Sequence, residues 1–113
     1  MLDDGLQYQL FNLLSSRPKI SQREMATALG LSLGKTNYAL RAFIKKGFIK
    51  VEVFYNSKNK RAYSYILTPE GMEEKANITL RYFRRKMKEY EELQEEILRL
   101  KKEVESIKET KPS

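Results

Sequence analysis

Residues 20–67 read ISQREMATALGLSLGKTNYALRAFIKKGFIKVEVFYNSKNKRAYSYIL, and the order of signals in that stretch decides the fold. Ser21 stands where an N-cap belongs, and Glu24 follows three residues later, the spacing of a capping box. Ile20 and Met25 occupy the two positions of a hydrophobic staple around that cap. The helix so started is short, because Gly30 follows Leu29 as a C′ residue. Ser32 caps a further helix at once, and Gly47 closes it, dropping the apolar pair Phe48 and Ile49 into a strand. Strands are expected at about 48–55 and 62–67, rich in Val, Ile, Phe and Tyr. They enclose a polar connector, Asn56-Ser57-Lys58-Asn59-Lys60-Arg61. Helix, tight glycine turn, helix and basic hairpin in this order spell a winged helix-turn-helix. That layout presents one helix and one hairpin to the same side, where a groove and a backbone can be touched together.

Upstream, Leu6, Leu10, Leu13 and Leu14 keep helical spacing behind an acidic start at Asp3 and Asp4, and Ser15, Ser16 and Pro18 end that helix. In the helix capped by Ser32 the expected buried stripe is Thr36, Leu40, Phe43 and Ile44. Lys35, Asn37, Tyr38, Arg41 and Lys45 fall on the opposite face. Asn, Tyr and Arg there are types that reach base edges and phosphates. Tyr63, Tyr65 and Leu67 alternate with Ala62, Ser64 and Ile66, so one face of the second strand is expected to be buried. Thr68-Pro69-Glu70 starts a last helix with a cap, a proline at N1 and an acid at N2. The fold class is therefore mainly α with a small β-hairpin (α+β). Its expected divisions are a DNA-binding domain over 1–71, a dimerisation helix over 72–109 and a disordered tail over 110–113.

The chain has 113 residues and a net charge of +7, unevenly spread. Residues 35–63 hold eight Lys/Arg against Glu52 alone, whereas residues 89–113 hold five basic and eight acidic residues. Local positive charge is the footprint expected for a polyanionic partner; a Lys-rich surface that merely aids solubility is the plainer reading. Neither Cys nor His occurs, which removes disulfides, thiolate metal sites, cysteine nucleophiles and the commonest general base. No cofactor, metal or catalytic residue is expected, and an enzyme is the weakest reading. The opening MLDDGLQYQL lacks a basic start and a long apolar run, and no membrane span is expected, so a cytoplasmic place is anticipated.

From Met72 to Ile107 no Pro or Gly interrupts the chain, giving a helix of about 36 residues, roughly 54 Å long. Met72, Ala76, Leu80, Phe83 and Met87 make one stripe in its first half. In the second half Tyr90, Ile97 and Val104 take heptad position a, with Leu93, Leu100 and Ile107 at d. The row at a continues upstream to Phe83, although Lys86 at d breaks the pattern there, and the expected coil spans about 83–107. Glu89, Glu96 and Glu103 fall at g, and Gln94, Lys101 and Lys108 at e. A parallel pair sets Glu96 against Lys101 and Glu103 against Lys108, whereas an antiparallel pair sets Glu against Glu. The expectation is a parallel homodimer held by Phe83, Met87, Tyr90, Leu93, Ile97, Leu100, Val104 and Ile107. The alternatives are a helix folded back on its own domain or paired with a different protein. The basic cluster Arg81, Arg84, Arg85, Lys86 and Lys88 reads equally well as a contact for flanking phosphates or as a solvated face.

The strings ISQREMA, LSLGKTNYALRAFIKKGFIKV, NSKNKRAYSYILTPEG and EEKANITLRYFRRKMKEYEEL carry a resemblance over about residues 5–100. The chain resembles MarR-type winged-helix transcriptional regulators, and more closely the short branch of that family associated with bacterial exopolysaccharide gene clusters. The resemblance implies a dimeric DNA-binding regulator, with a recognition helix at 32–46 and a wing at 54–62. Two departures stand out. The wider family carries Asp-x-Arg in the wing, where the acid braces the Arg; here the string is Asn59-Lys60-Arg61, without a charge-assisted brace. Because the first helix starts within a few residues of Met1, the long N-terminal helix of many members is not expected here, and dimerisation is expected to rest on the C-terminal helix. It also argues against the family's small-molecule pocket, and the effector, if there is one, is unknown.

The leading expectation is a sequence-specific regulator that binds double-stranded DNA as a homodimer. Its candidate contacts are Ser21, Gln22, Arg23, Ser32, Lys35, Asn37, Tyr38, Arg41, Lys45, Ser57, Lys58, Lys60 and Arg61. Base readout is assigned mainly to Lys35, Asn37, Tyr38 and Arg41, and phosphate contact to Ser21, Gln22, Arg23, Lys45 and the wing. The alternative is a protein-interaction module, with the winged helix as scaffold and the coil recruiting a partner. Tyr55, Tyr63, Tyr65, Tyr82 and Phe83 could line an effector pocket, although aromatics at this spacing are more often core.

Overall fold

Each helix begins where a side-chain oxygen meets a free backbone N–H. In the computed structural model, which describes residues 3–110, Asp3 accepts from the Leu6 N–H at 2.8 Å and starts α1 (Asp4–Ser16). Ser21 and Glu24 close the full capping box of α2 (Gln22–Leu29). The Ser32 hydroxyl accepts from the Lys35 N–H at 3.1 Å and starts α3 (Leu33–Lys45). The helices end as locally as they begin. At Gly47 the chain takes φ of 78°. The N–H groups of Gly47 and Phe48 then return to the carbonyls of Ile44 and Phe43, the paired closure of a Schellman motif.

β1 (Ile49–Tyr55) and β2 (Arg61–Leu67) pair antiparallel, from Ile49 opposite Leu67 to Tyr55 opposite Arg61. The Tyr65 N–H also donates to the Pro18 carbonyl at 2.7 Å, tying the loop ahead of α2 to the outer edge of β2. One hairpin face carries Ile49, Val51, Val53 and Tyr55 against Leu67, Tyr65, Tyr63 and Arg61. Its base is core, with Ile49 and Tyr65 buried, but the helices underlie only that base. Towards the tip Val53, Tyr55 and Tyr63 are exposed, so the expected burial of Tyr63 does not occur.

The core gathers Leu10, Phe11 and Leu14 from α1, Ile20 and Met25 from the staple, Ala39, Leu40 and Phe43 from α3, and Ile49, Tyr65 and Ile78. Phe11, Phe43 and Phe48 form its aromatic centre, with ring centroids 4.5 to 5.9 Å apart. Two expected faces turn by about one residue step. In α1 the buried residues are Gly5, Leu10, Phe11 and Leu14, while Leu6 and Leu13 are half-covered. In α3 the stripe is Thr36, Ala39, Leu40 and Phe43, and Ile44 is exposed. Thr36 is wholly buried, and its hydroxyl donates to the Ser32 carbonyl at 2.9 Å.

α4 runs Pro69–Thr110. Thr68 anchors it: its N–H donates to the Phe48 carbonyl, its hydroxyl to the Gly47 carbonyl, and its oxygen accepts from the Gly71 N–H. Gly71 and Ile78, two turns apart, are its buried residues. At about 100° per residue, Ala76 and Leu80 lie on the opposite side, and Met72 stands about a quarter turn from Gly71. All three are exposed, as are Phe83 and Met87, so the first-half stripe is uncovered in the single chain. Arg81 pairs with Asp4 at 3.1 Å, and Tyr82 stacks on Tyr8 at 5.0 Å. One compact unit extends to Tyr82, and a second begins at Phe83. In that second unit all eight expected dimerisation residues are exposed. Thr110, expected in the tail, is helical; the remaining tail positions 111–113 lie outside the described residues.

Candidate nucleic-acid interface

With Thr36, Ala39, Leu40 and Phe43 turned to the core, helical geometry places Tyr38, Arg41 and Lys45 at the middle of the outward face of α3. All three are exposed, Tyr38 by 67%. Lys35 is also exposed, on one flank. Asn37, on the other flank, is half-buried, and its amide Nδ2 donates to Gln22 Oε1 at 3.2 Å. Gln22 belongs to the first turn of α2, so the pair joins the two helices.

Ser21 and Ser32, both expected contacts, already accept cap hydrogen bonds; each hydroxyl retains a hydrogen to donate. Glu24 Oε1 accepts from the Ser21 N–H at 3.3 Å, and Oε2 takes the Arg17 guanidinium at 2.7 Å. The bonds from Ser21, and then that from Arg17, hold the Glu24 carboxyl below the usual carboxylate range. Arg23 stands exposed beside this cap.

The wing is organised by Asn56. Its Oδ1 accepts from the N–H groups of Lys58 and Lys60 at 3.0 and 3.1 Å, and its own N–H donates to the Lys60 carbonyl at 3.0 Å. Asn59 takes φ of 56° and donates its N–H to the Asn56 carbonyl, so it serves the turn. Arg61 lies instead with its guanidinium 5.7 Å from the Tyr63 ring centroid, a cation–π contact between side chains on one strand face. Ser57, Lys58 and Lys60 are exposed at the tip. Lys19 sits 4.8 Å over the Phe54 ring.

A groove of about 320 Å³ connects these parts, with Lys19, Ser21 and Gln22 on one wall and Arg61, Ala62 and Tyr63 on the other. Gln22 on its wall bonds to Asn37 and so joins this groove to the flank of α3. Arg61, the start of α2 and the flank of α3 thus share one surface. Its charge is open. Among the described residues, Arg23, Lys35, Arg41, Lys45, Lys58, Lys60 and Arg61 make no ion pair, whereas Arg17, Lys50, Arg81, Arg85 and Lys86 each do. The carboxylates nearest in the chain pair elsewhere, Glu24 with Arg17 and Glu52 with Lys50.

The roles of Asn56 and Tyr63 were not read from the sequence, although an Asn opening a polar turn and an aromatic two residues after an Arg are visible there. The Gln22–Asn37 bond spans helices, and no local pattern signals it. Of the aromatics that could line an effector pocket, Tyr65 is core, Tyr82 stacks on Tyr8, and Tyr55 is exposed. Among the described residues no acidic cluster offers a metal site, and no helix is long and apolar enough to cross a membrane.

This architecture is a winged helix with a long C-terminal helix. Residues 3–50 match a family model described as winged helix-turn-helix DNA-binding. No curated protein matches the chain in sequence. Among solved structures, a PadR-like transcriptional regulator from Bacillus cereus superposes with a TM-score of 0.69 at 18% identity, covering 79% of this chain and 91% of its own. Staphylococcus aureus MarR, solved with salicylate and kanamycin, gives 0.55 at 17% identity over 93% and 73%. A MepR variant from the same species, bound to an oligodeoxyribonucleotide, gives 0.55 at 18% over 90% and 78%. At such identities the likeness is one of fold.

Proposed function

We propose that the chain is a sequence-specific regulator of transcription that binds double-stranded DNA as a homodimer on two half-sites. The observation that carries this reading is the continuous surface of α3, the start of α2 and the wing, whose cations have no carboxylate partners. α3 enters the major groove, with Lys35, Asn37, Tyr38 and Arg41 towards base edges. The first turn of α2, Ser32, Lys45 and the wing residues Ser57, Lys58, Lys60 and Arg61 hold the backbone. The DNA-bound MepR variant, of the same fold, supports a nucleic-acid partner.

The dimer forms along α4 as a parallel coil. Tyr90, Leu93, Ile97, Leu100, Val104 and Ile107, each about half exposed in the single chain, are the surface that pairing would cover, with Phe83 and Met87 extending it. A cytoplasmic place accompanies this reading, and the resemblance points to exopolysaccharide genes as targets. Selection of bound duplexes from a random pool, followed by a salt titration, tests it. Two half-sites should be enriched, and log affinity should fall against log salt by about 0.9 per phosphate contacted. A pool with no enriched sequence, together with a protein partner that residues 72–113 alone capture, would establish the interaction-module reading instead.

A further inference from the structure

Gln22 and Asn37 are fifteen positions apart in sequence, yet their amides bond at 3.2 Å where α2 meets α3. Both are half-buried among exposed neighbours, Arg23, Tyr38 and Arg41. A side-chain amide offers one acceptor oxygen and two N–H donors. Joining two amides consumes one oxygen and one N–H, and it leaves one acceptor oxygen together with free N–H donors. The inventory is the same if either amide is turned over and oxygen and nitrogen exchange roles. In the major groove adenine presents a donor at N6 and an acceptor at N7. Guanine presents two acceptors, cytosine a donor, and thymine an acceptor beside a methyl. The remaining acceptor beside a free N–H complements adenine, whereas guanine would use the donors alone and leave that acceptor unmet.

We infer that Gln22 and Asn37 act as one unit that reads an adenine in the major groove. The inference rests on the DNA-binding reading above, and it moves Gln22 from backbone contact to base selection. Two long polar side chains free in water would each lose rotamer freedom on meeting DNA; here the mutual bond has already fixed them. The half-burial of Asn37 is the cost of that alignment, and it accounts for an α3 residue turned towards α2 rather than squarely outward.

The test uses the full chain and duplexes drawn from its own selected site. Wild type, Gln22→Ala, Asn37→Ala and the double variant are each measured on duplexes with A·T, G·C, T·A or C·G at every half-site position. The readout is the ratio of affinities between duplexes for one preparation, which partial unfolding does not alter. At one position wild type should prefer adenine by about tenfold or more. Each single variant should lose that preference at that same position, and the double variant should lose no more than either. Gln22→Met, which keeps the length but not the amide, should behave as Gln22→Ala does. Three outcomes overturn the pair's role: variants that weaken all duplexes in equal proportion, variants that affect different positions, or a wild type with no adenine preference. A wild type that enriches no sequence at all would instead sink the DNA-binding reading, and the pair's role with it.

Discussion

Gly71 fixes the angle at which the last helix leaves the hairpin, because a Cβ there would collide with the Phe48 backbone carbonyl. Backbone at both sides cannot yield easily, so Gly71→Ala should destabilise the fold by about 1–3 kcal/mol, read from denaturant unfolding. Gly34 is the opposite case. It sits on the outward face of α3 with open space around its Cβ position. Gly34→Ala should therefore raise the melting temperature, by a few tenths to about 1 kcal/mol of stability. If the outward face approaches a groove closely, the same change should weaken DNA binding, and a variant gaining both stability and affinity would contradict that approach. Arg61 depends on Tyr63. Tyr63→Ala should lower affinity nearly as far as Arg61→Ala, and the double variant little further, whereas additive losses would show that the stacked ring does not position the guanidinium. The sequence displayed the cations of this surface but not their settings, since Tyr63 and Gln22 act through neighbours that only the fold supplies.

At the scale of elements, what was legible was what is decided locally. Ser21, Ser32 and Thr68 start helices and Gly30 and Gly47 stop them through contacts within a few residues, and these boundaries stand in the structure. The buried faces of α1 and α4 were less legible, because opposing elements choose them. Phe11 wins its place by packing on Phe43 and Phe48, and Ile78 is chosen over Met72 and Leu80 by the side on which Gly71 meets Phe48. The α2 cap carries a pH dependence of known sign. The Glu24 carboxyl is held below its ordinary range in the folded chain, so its contribution is complete above that range and is lost as pH falls through the lowered value. Glu24→Gln, which can still close the capping box, should flatten the acid side of a plot of melting temperature against pH. An unchanged acid limb would show that the carboxylate adds nothing there. In the coil, Glu96→Lys should shift light scattering towards monomer, and adding Lys101→Glu should restore the dimer if the helices run parallel. An antiparallel pair would give no such rescue.

The molecule as a whole separates its charge along the chain, +7 across residues 35–63 against −3 across 89–113. That separation was plain in the sequence; the continuity of the positive surface was not, since it depends on the hairpin groove meeting α2. Lys45→Ala should weaken all duplexes alike and flatten the salt slope by about one unit, whereas Arg41→Ala should cost about 1–3 kcal/mol and relax selectivity at one position. The most direct measurement is an amide NMR titration of the full chain with its selected duplex. Shifts concentrated at 21–23, 32–45 and 56–63 would place the DNA on this surface. A duplex that binds while leaving those amides unmoved, with shifts elsewhere on the protein, would contradict it.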